Sequence, residues 1–422
     1  MYRYALILLI VFASVLGLFA GFNLVVDPYD VAGVGDIRGL NARRTHIHDD
    51  GGRIHVADMM ARGAATSFVM GSSRTVDGFV RNPEGWPGGM INGGFRGSNV
   101  FEQSLAMALA ARDPDLRCLV IGIDLDEFGA HSKSKSSFAI SAFADGNSAM
   151  ALARMAMSPN TFAASVLTVA DNISGTDAET PWAEVYPAGE QRRRYESGAR
   201  GIYAYYLGYR FDAERLDYFN ETLDALTASG VQVVGFIHPL HAWREEALFR
   251  AGRGEDYFAF RAALTELFDR YADRQPNAPC VEGGASPLWD FSGFQSFATN
   301  TAPAPQATMA HETFYEPSHY LPQIGQAMLD RMRGADGTNT LHGGAFGVRL
   351  TPDTLASSAE VIRTRRDDWL ASEAGREATE FLDTVIAAQP AAEIQPPQFL
   401  NRDDWRDLRR ALARLPDRGE AG

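Results

Sequence analysis

Two short segments hold the residues of this chain that could do chemistry together. Gly71-Ser72-Ser73-Arg74 directly follows the apolar run Ser67-Phe68-Val69-Met70, and Glu316-Pro317-Ser318-His319 comes much later. A serine hydroxyl is a weak nucleophile until a base stands within hydrogen-bond reach and a third group orients that base. Ser73, His319 and Glu316 supply one residue of each kind, and the spacing lets a single loop carry both Glu316 and His319. Read singly, Ser73 is a helix N-cap, His319 an exposed residue at a helix start, and Glu316 a solvated loop acid. Read together, they are a nucleophile, a general base and the carboxylate that fixes the base's tautomer.

Arg74 either anchors an anionic substrate or pairs with Asp77, Asp124 or Asp126. The pairing is the favoured reading. His238 and His241 follow a strong strand signal, so one of them, His238, is a candidate lining residue. As a metal pair they lack a nearby third ligand. His46-Ile47-His48-Asp49-Asp50 is metal-like in composition but reads as a solvated connector loop. Met150, Met155 and Met157 read as packing residues or a membrane-facing stripe. No phosphate-cradling loop, cysteine cluster or nucleotide fingerprint occurs in the sequence. Neither a cofactor nor a metal is expected.

The elements around these residues alternate. Ala65–Met70 is a short apolar strand ended by Gly71, and Met90–Asn92 is a second strand. Asn99 caps a helix, with Glu102 at its third position and alanine-rich residues continuing to Ala111. Cys118–Gly122 is a third strand. This alternation predicts a parallel sheet with helices on both faces, a three-layer α/β domain. Ser73 then sits where a strand ends and a helix begins, the edge at which such sheets place ligands. A helix over 212–228, a buried strand over 231–237, helical residues over 240–273 and a last strand over 288–291 continue the pattern. Tyr320–Met332 is a helix with Pro322 in its first turn, which puts His319 at a helix N-terminus that favours neutral imidazole. Residues 130–210 break the rhythm and read as a helical insertion or lid. The tail from Gly334 reads as accessory, with a helical stretch over 352–388, a Pro- and Ala-rich segment over 389–398 and a charged helix over 402–414.

The 422 residues suffice for one large domain or two modest ones, and 45% hydrophobic with 22% charged residues is ordinary for a globular protein. A net charge of -14 speaks against nucleic acid as a partner, since phosphate contacts need a basic face. Cys118 and Cys280 are too few for a disulfide scaffold. They are either two buried thiols or, outside the cytoplasm, a pair. Ala5–Val26 has Asn23 as its one strongly polar member. It is long enough for a bilayer core of about 30 Å and carries no Ala-x-Ala cleavage site near its end. It reads as an uncleaved anchor, with residues 1–4 inside and the remainder outside the cytoplasm. Residues 27–64 are a connector, 65–335 the α/β domain and 336–422 a helical extension.

On these blocks the chain resembles the SGNH (GDSL-like) hydrolase superfamily. It is most similar to the membrane-anchored cell-envelope branch that includes the D-alanyl-lipoteichoic-acid biosynthesis and alginate O-acetylation proteins. Gly71-Ser72-Ser73 matches that superfamily's opening Gly-x-Ser block. Asn92-Gly93-Gly94-Phe95-Arg96-Gly97 matches its Asn-x-Gly-x-x-Gly block, and Glu316-Pro317-Ser318-His319 stands for its closing Asp-x-x-His. The resemblance implies an SGNH/flavodoxin-like fold over roughly residues 60–335. It also implies an oxyanion hole from the Ser73 and Gly97 backbone N–H groups, with Asn92 beside the substrate. The third donor of that hole is usually an asparagine after the third strand, and Asp124 stands there instead. The resemblance implies acyl transfer or ester hydrolysis on an envelope polysaccharide or lipid-linked glycan, fed by a membrane acyl-donor protein. The competing expectation is a non-catalytic binding or assembly factor that keeps the fold.

Overall fold

The computed structural model describes residues 2–47, 51–63, 65–80, 82–86, 89–130, 134–175, 189–274, 288–305, 313–335, 337–388 and 402–415. In chain order, α1 (Tyr2–Val26) and α2 (Gly52–Ala61) precede β1 (Ser67–Met70), α3 (Ser73–Gly78), β2 (Ile91–Asn92), α4 (Val100–Ala110) and β3 (Cys118–Ile123). Then come α5 (Ser136–Ile140), α6 (Ser148–Ala156), α7 (Pro159–Ser174), α8 (Glu190–Leu207), α9 (Arg215–Ala228), β4 (Gln232–Ile237), α10 (Ala242–Arg250), α11 (Gly254–Ala272) and β5 (Leu288–Asp290). The last third holds β6 (Phe314–Glu316), β7 (His319–Tyr320), α12 (Pro322–Met332), β8 (Thr340–Leu341), β9 (Gly344–Ala345) and β10 (Val348–Arg349). Helices α13 (Pro352–Ala371), α14 (Glu373–Ala388) and α15 (Arg402–Leu412) close the chain.

The chain divides into two compact units, Met1–Ala64 with Ser134–Pro181, and Ala65–Lys133 with Trp182–Gly422. The larger unit is a mixed α/β body around one main sheet of order β10-β5-β4-β3-β1-β2. Its strands are parallel except β10, which pairs antiparallel with β5. Every residue of β1, β3 and β4 is buried, which is why these segments read as unbroken apolar runs. The strand order reverses between β1 and β3, so a crevice opens past their carboxyl ends. Residues 71–74 and Asp124 lie there. Asn99 accepts the Glu102 N–H at 2.9 Å and starts α4 as its sequence predicts.

Three expectations change. The tail is not wholly accessory, because β10 adds an edge to the sheet and Leu350 N donates to the Leu288 carbonyl at 3.0 Å. A two-residue strand is too short to leave an alternation signal. The stretch 130–210 is not one insertion or lid. Its α8 belongs to the larger unit and packs on α10, while residues 134–181 join the smaller unit. There Met155 and Ala164 share a buried cluster with Tyr29, Val31 and Ile54, so the expected connector supplies a core. Third, His319 and Tyr320 form strand β7, and the helix begins only at Pro322.

The smaller unit carries α1, the one described helix long and apolar enough to cross a membrane. Its first fourteen residues, Tyr2–Val15, are exposed, whereas Asn23 and Val26 are buried among the unit's other helices. Asn23 donates to the Ala156 carbonyl at 2.9 Å and accepts from the Ser165 hydroxyl at 3.1 Å. Asp27, just past the helix, accepts the Val31 and Ala32 N–H groups at 2.8 and 3.0 Å.

Candidate active site

The turn after β1 is built for close approach. Gly71 has φ +147°, and a Cβ there would stand 2.2 Å from the Thr75 hydroxyl and 2.8 Å from the Gly122 carbonyl. Only glycine tolerates both demands. Ser72 is the N-cap of α3, its hydroxyl accepting the Arg74 N–H at 3.3 Å. The capping role thus falls to Ser72. Ser73 is the first helical residue, half-buried, with its hydroxyl left for another partner.

That partner is His319. Ser73 Oγ lies 2.7 Å from His319 Nε2, and His319 Nδ1 is hydrogen-bonded to a Glu316 carboxylate oxygen. Strands β6 and β7 form a tight antiparallel hairpin in which Glu316 and His319 oppose each other across the Pro317-Ser318 turn. Cross-strand partners stand close enough for such contact, so the hairpin, not a helix start, brings acid and base together. Glu316 also accepts the Ser318 N–H at 3.0 Å. Burial opposes its ionisation, but the neighbouring His319 and these hydrogen bonds bring its pKa below the usual glutamate value. A carboxylate acceptor on Nδ1 leaves Nε2 free to accept from Ser73, the tautomer a general base needs.

A second layer fixes this relay. Asp77, fully buried on α3, lies 3.9 Å from His319 Nε2. Arg96 grips Asp77 with two nitrogens at 2.9 and 2.5 Å, and the Tyr315 hydroxyl donates to it at 2.6 Å. The Tyr315 ring stacks on the His319 imidazole, with centroids 5.5 Å apart. Sequence reasoning gave Arg96 and Tyr315 no role at the site, and Asp77 only that of a candidate partner for Arg74. Asp77 lies four residues after Ser73, one helical turn along the same face, and that spacing was the available signal.

Asp124 is not an oxyanion donor. It pairs with Arg74 Nη1 at 2.5 Å and accepts from the Ser72 hydroxyl. Burial works against its charge, yet Arg74, then His238 and the Ser72 hydroxyl, hold its pKa down to about 2. An ionised carboxylate has no proton to donate. Gly97 is exposed in a left-handed turn at φ +62°, just before α4.

The three candidate substrate-binding residues all bond within the protein, and Arg74 makes the ion pairs of its favoured reading. Arg74 is 5% exposed and engages Asp124, Asp126 at 3.2 Å and the Ser318 carbonyl at 3.0 Å, but not Asp77. Asn92 donates to the carbonyls of Thr75, Val76 and Phe79 at 2.8, 3.2 and 2.8 Å, and accepts the Gly94 N–H at 3.0 Å. The three hydrogen bonds it donates all anchor the end of α3. His238 is 1% exposed, resting on Gly122 with Nδ1 2.9 Å from the Tyr320 hydroxyl. Burial, the largest influence, pulls its pKa down to about 4, so it is neutral. His241 caps α10, its Nδ1 accepting the Trp243 N–H at 3.3 Å.

Arg244 was also missed. It donates to the Ser318 hydroxyl at 2.7 Å and pairs with Asp126, which accepts the Tyr206 hydroxyl at 2.7 Å. Among the described residues no cluster of His, Cys, Asp or Glu is arranged to hold a metal. His48, Asp49 and Asp50 lie outside the described residues, as does the Pro- and Ala-rich segment over 389–398. Cys118 is disulfide-bonded, and the sequence's other cysteine, Cys280, lies outside the described residues. No family model, curated protein or solved structure matches the chain.

Proposed function

We propose that this chain is a membrane-anchored serine acyltransferase or esterase of the SGNH type, acting outside the cytoplasm on an envelope polysaccharide or lipid-linked glycan. The observation that carries the reading is the continuous relay from Ser73 through His319 to Glu316, with the hydroxyl 2.7 Å from Nε2. Its place at the carboxyl end of β1, beside the point where strand order reverses, supports a ligand site. The parallel order β2-β1-β3-β4-β5 is the flavodoxin-like one and supports the SGNH-type, three-layer reading.

In this mechanism Ser73 Oγ attacks an acyl carbonyl while His319 Nε2 takes its proton and Glu316 steadies the imidazolium. The tetrahedral oxyanion is met by the Ser73 and Gly97 backbone N–H groups. Collapse expels the alcohol, which regains a proton from Nε2, and leaves an acyl-serine. A sugar hydroxyl or water, deprotonated by the same nitrogen, then attacks the acyl-serine and frees Ser73. A membrane protein that delivers the acyl group is the fitting donor for a tethered enzyme.

The length and apolarity of α1 support a membrane span, with Arg3 on the cytoplasmic side. Burial of Asn23, Val26 and Asp27 in the smaller unit supports retention of that helix, since cleavage near residue 26 would remove part of a folded core. A disulfide at Cys118 suits an oxidising compartment.

A second reading is a binding or assembly protein that keeps the fold without the chemistry. The observation favouring it is Asp124, an anion where an oxyanion-hole donor would help. Labelling with a fluorophosphonate probe decides between them. Wild type should label, while Ser73→Ala and His319→Ala should not. Absence of Ser73-dependent labelling in folded wild type would replace the enzyme with the binding reading.

A further inference from the structure

Between its polar first and last turns, where Asn160 and Ser174 are exposed, helix α7 buries small and hydroxylated residues and exposes large apolar ones. Thr161, Ala164, Ser165 and Thr168 are the buried residues of its inner face. Phe162, Val166, Leu167 and Ile173 point outward at 37, 45, 50 and 74% exposure, and Met157 just before the helix is 45% exposed. A helix of a water-soluble surface has the opposite arrangement. Helices that pack within lipid show this one, with small and hydroxylated residues between helices and large apolar ones facing the chains.

The neighbour of α7 is the anchor itself. Phe162 stacks on Phe19 at 4.9 Å between centroids and meets Phe22 at 5.4 Å, and the Ser165 hydroxyl donates to Asn23 at 3.1 Å. Residues 19 to 23 thus lie against residues 162 to 165 of α7. A hydrocarbon core of about 20 helical residues counted from Ala5 ends near Leu24. Phe162, against Phe19 and Phe22, falls inside that boundary, and Val166 and Leu167 follow it within about a turn and a half on the exposed face. Residues 155–170 contain no charge. The far end is polar, where Asn172 bonds the Arg43 backbone at 2.7 and 3.0 Å and Asp171 accepts the Thr45 hydroxyl at 2.7 Å.

We infer that the outward face of α7, led by Phe162, Val166 and Leu167, lies in the outer leaflet of the bilayer that α1 spans, seating the smaller unit in lipid. The inference rests on the anchor reading. Its occupant is lipid because the face continues the apolar surface of α1 without a charge between them.

The test uses the full chain in phosphatidylcholine vesicles, with an environment-sensitive fluorophore on single engineered cysteines. Cys118 is already bonded, and the wild-type chain serves as the labelling blank. Val166→Cys and Leu167→Cys probe α7, Leu9→Cys probes the anchor, and Val361→Cys, at an exposed position of α13, reports water. Lipid-borne nitroxide should quench positions 166 and 167 several-fold more than position 361, and aqueous iodide several-fold less. Iodide quenching at 166 and 167 equal to that at 361, with Leu9→Cys still quenched by lipid nitroxide, would overturn the α7 inference and leave the anchor standing. Protection from both quenchers would overturn it too, in favour of a second copy covering the face. Absence of lipid quenching at Leu9→Cys would overturn the anchor and the inference together.

Discussion

Arg74 donates from Nε to the Ser318 carbonyl at 3.0 Å, so the residue after the proposed nucleophile holds the residue before the proposed base. The same guanidinium is paired with Asp124 and Asp126 beyond the strand next to β1. One side chain thereby joins three segments distant in sequence: the Gly71–Arg74 turn, the end of β3 and the β6–β7 hairpin. That junction ties the turn carrying Ser73 to the hairpin carrying His319.

Arg74→Ala should therefore destabilise the chain by about 3–5 kcal/mol, because it leaves buried Asp124 without its cation and Asp126 with Arg244 alone. Arg74→Lys keeps a charge but not the fork that reaches both carboxylates and the Ser318 carbonyl. The lysine variant should stay folded and label with fluorophosphonate about tenfold more slowly. Thermal melting and labelling rate, read together, check both outcomes. A lysine variant labelling at the wild-type rate would mean that Arg74 does not set the relay.

The Asp124–Arg74 pair also sets an acid limit. Asp124 titrates near 2 in the folded chain against 3.8 for an ordinary aspartate. A depressed carboxyl pKa gives stability that is fully present above the unfolded value and is lost as pH falls through the folded one. The difference is worth about 2 kcal/mol. Stability should decline from about pH 4 toward pH 2, and Asp124→Asn should flatten that limb while lowering stability at neutral pH. Denaturant melts across this range check the slope, which would be unchanged in Asp124→Asn if the pair did not matter.

Much of the site was legible because its chemistry needs local sequence. The β1 run, Gly71, Ser73 and the Glu316–His319 spacing each report a short-range requirement, and the structure brings Ser73, His319 and Glu316 into one hydrogen-bonded line. The local structure of His319 was misread because Pro322 marks the helix start correctly, while a two-residue strand leaves no periodicity to separate it from that helix. Asn92 and His238 drew binding roles, one from the block it matches and the other from its place after a strand, whereas Arg74 makes the aspartate pairs of its favoured reading. The partners of Asn92 and His238, the α3 carbonyls and Tyr320, come from elements that only the tertiary fold apposes. The small unit escaped for the same reason, since its core combines residues near 30 and 54 with residues near 155 and 164.

Glu316 is one methylene longer than the aspartate of the pattern it resembles, yet it reaches His319 Nδ1 across the hairpin. Glu316→Gln can present its amide nitrogen to Nδ1 and stabilise the wrong tautomer. Labelling should then fall by about 10³–10⁴, as loss of the orienting carboxylate does in serine triads. Glu316→Asp withdraws the carboxylate but keeps its charge, so it should label at a rate between wild type and Glu316→Gln. Equal rates in all three proteins would remove Glu316 from the relay and leave a Ser73–His319 dyad.

Asp77 places a second carboxylate 3.9 Å from His319 Nε2, and Arg96 is the charge that balances it. Without Arg96, the buried carboxylate would draw a proton onto the imidazole, and a protonated imidazole cannot accept from Ser73. Arg96→Gln should therefore lose about 3–5 kcal/mol of stability and need a higher pH to reach half-maximal labelling. Tyr315→Phe is the contrasting variant. It removes one hydrogen bond to Asp77 at a cost of about 1–2 kcal/mol, but keeps both the Arg96 fork and the ring stacked on His319. Its pH profile should stay that of wild type. A shifted profile in Tyr315→Phe, or an unshifted one in folded Arg96→Gln, would show that charge balance at Asp77 does not govern the base.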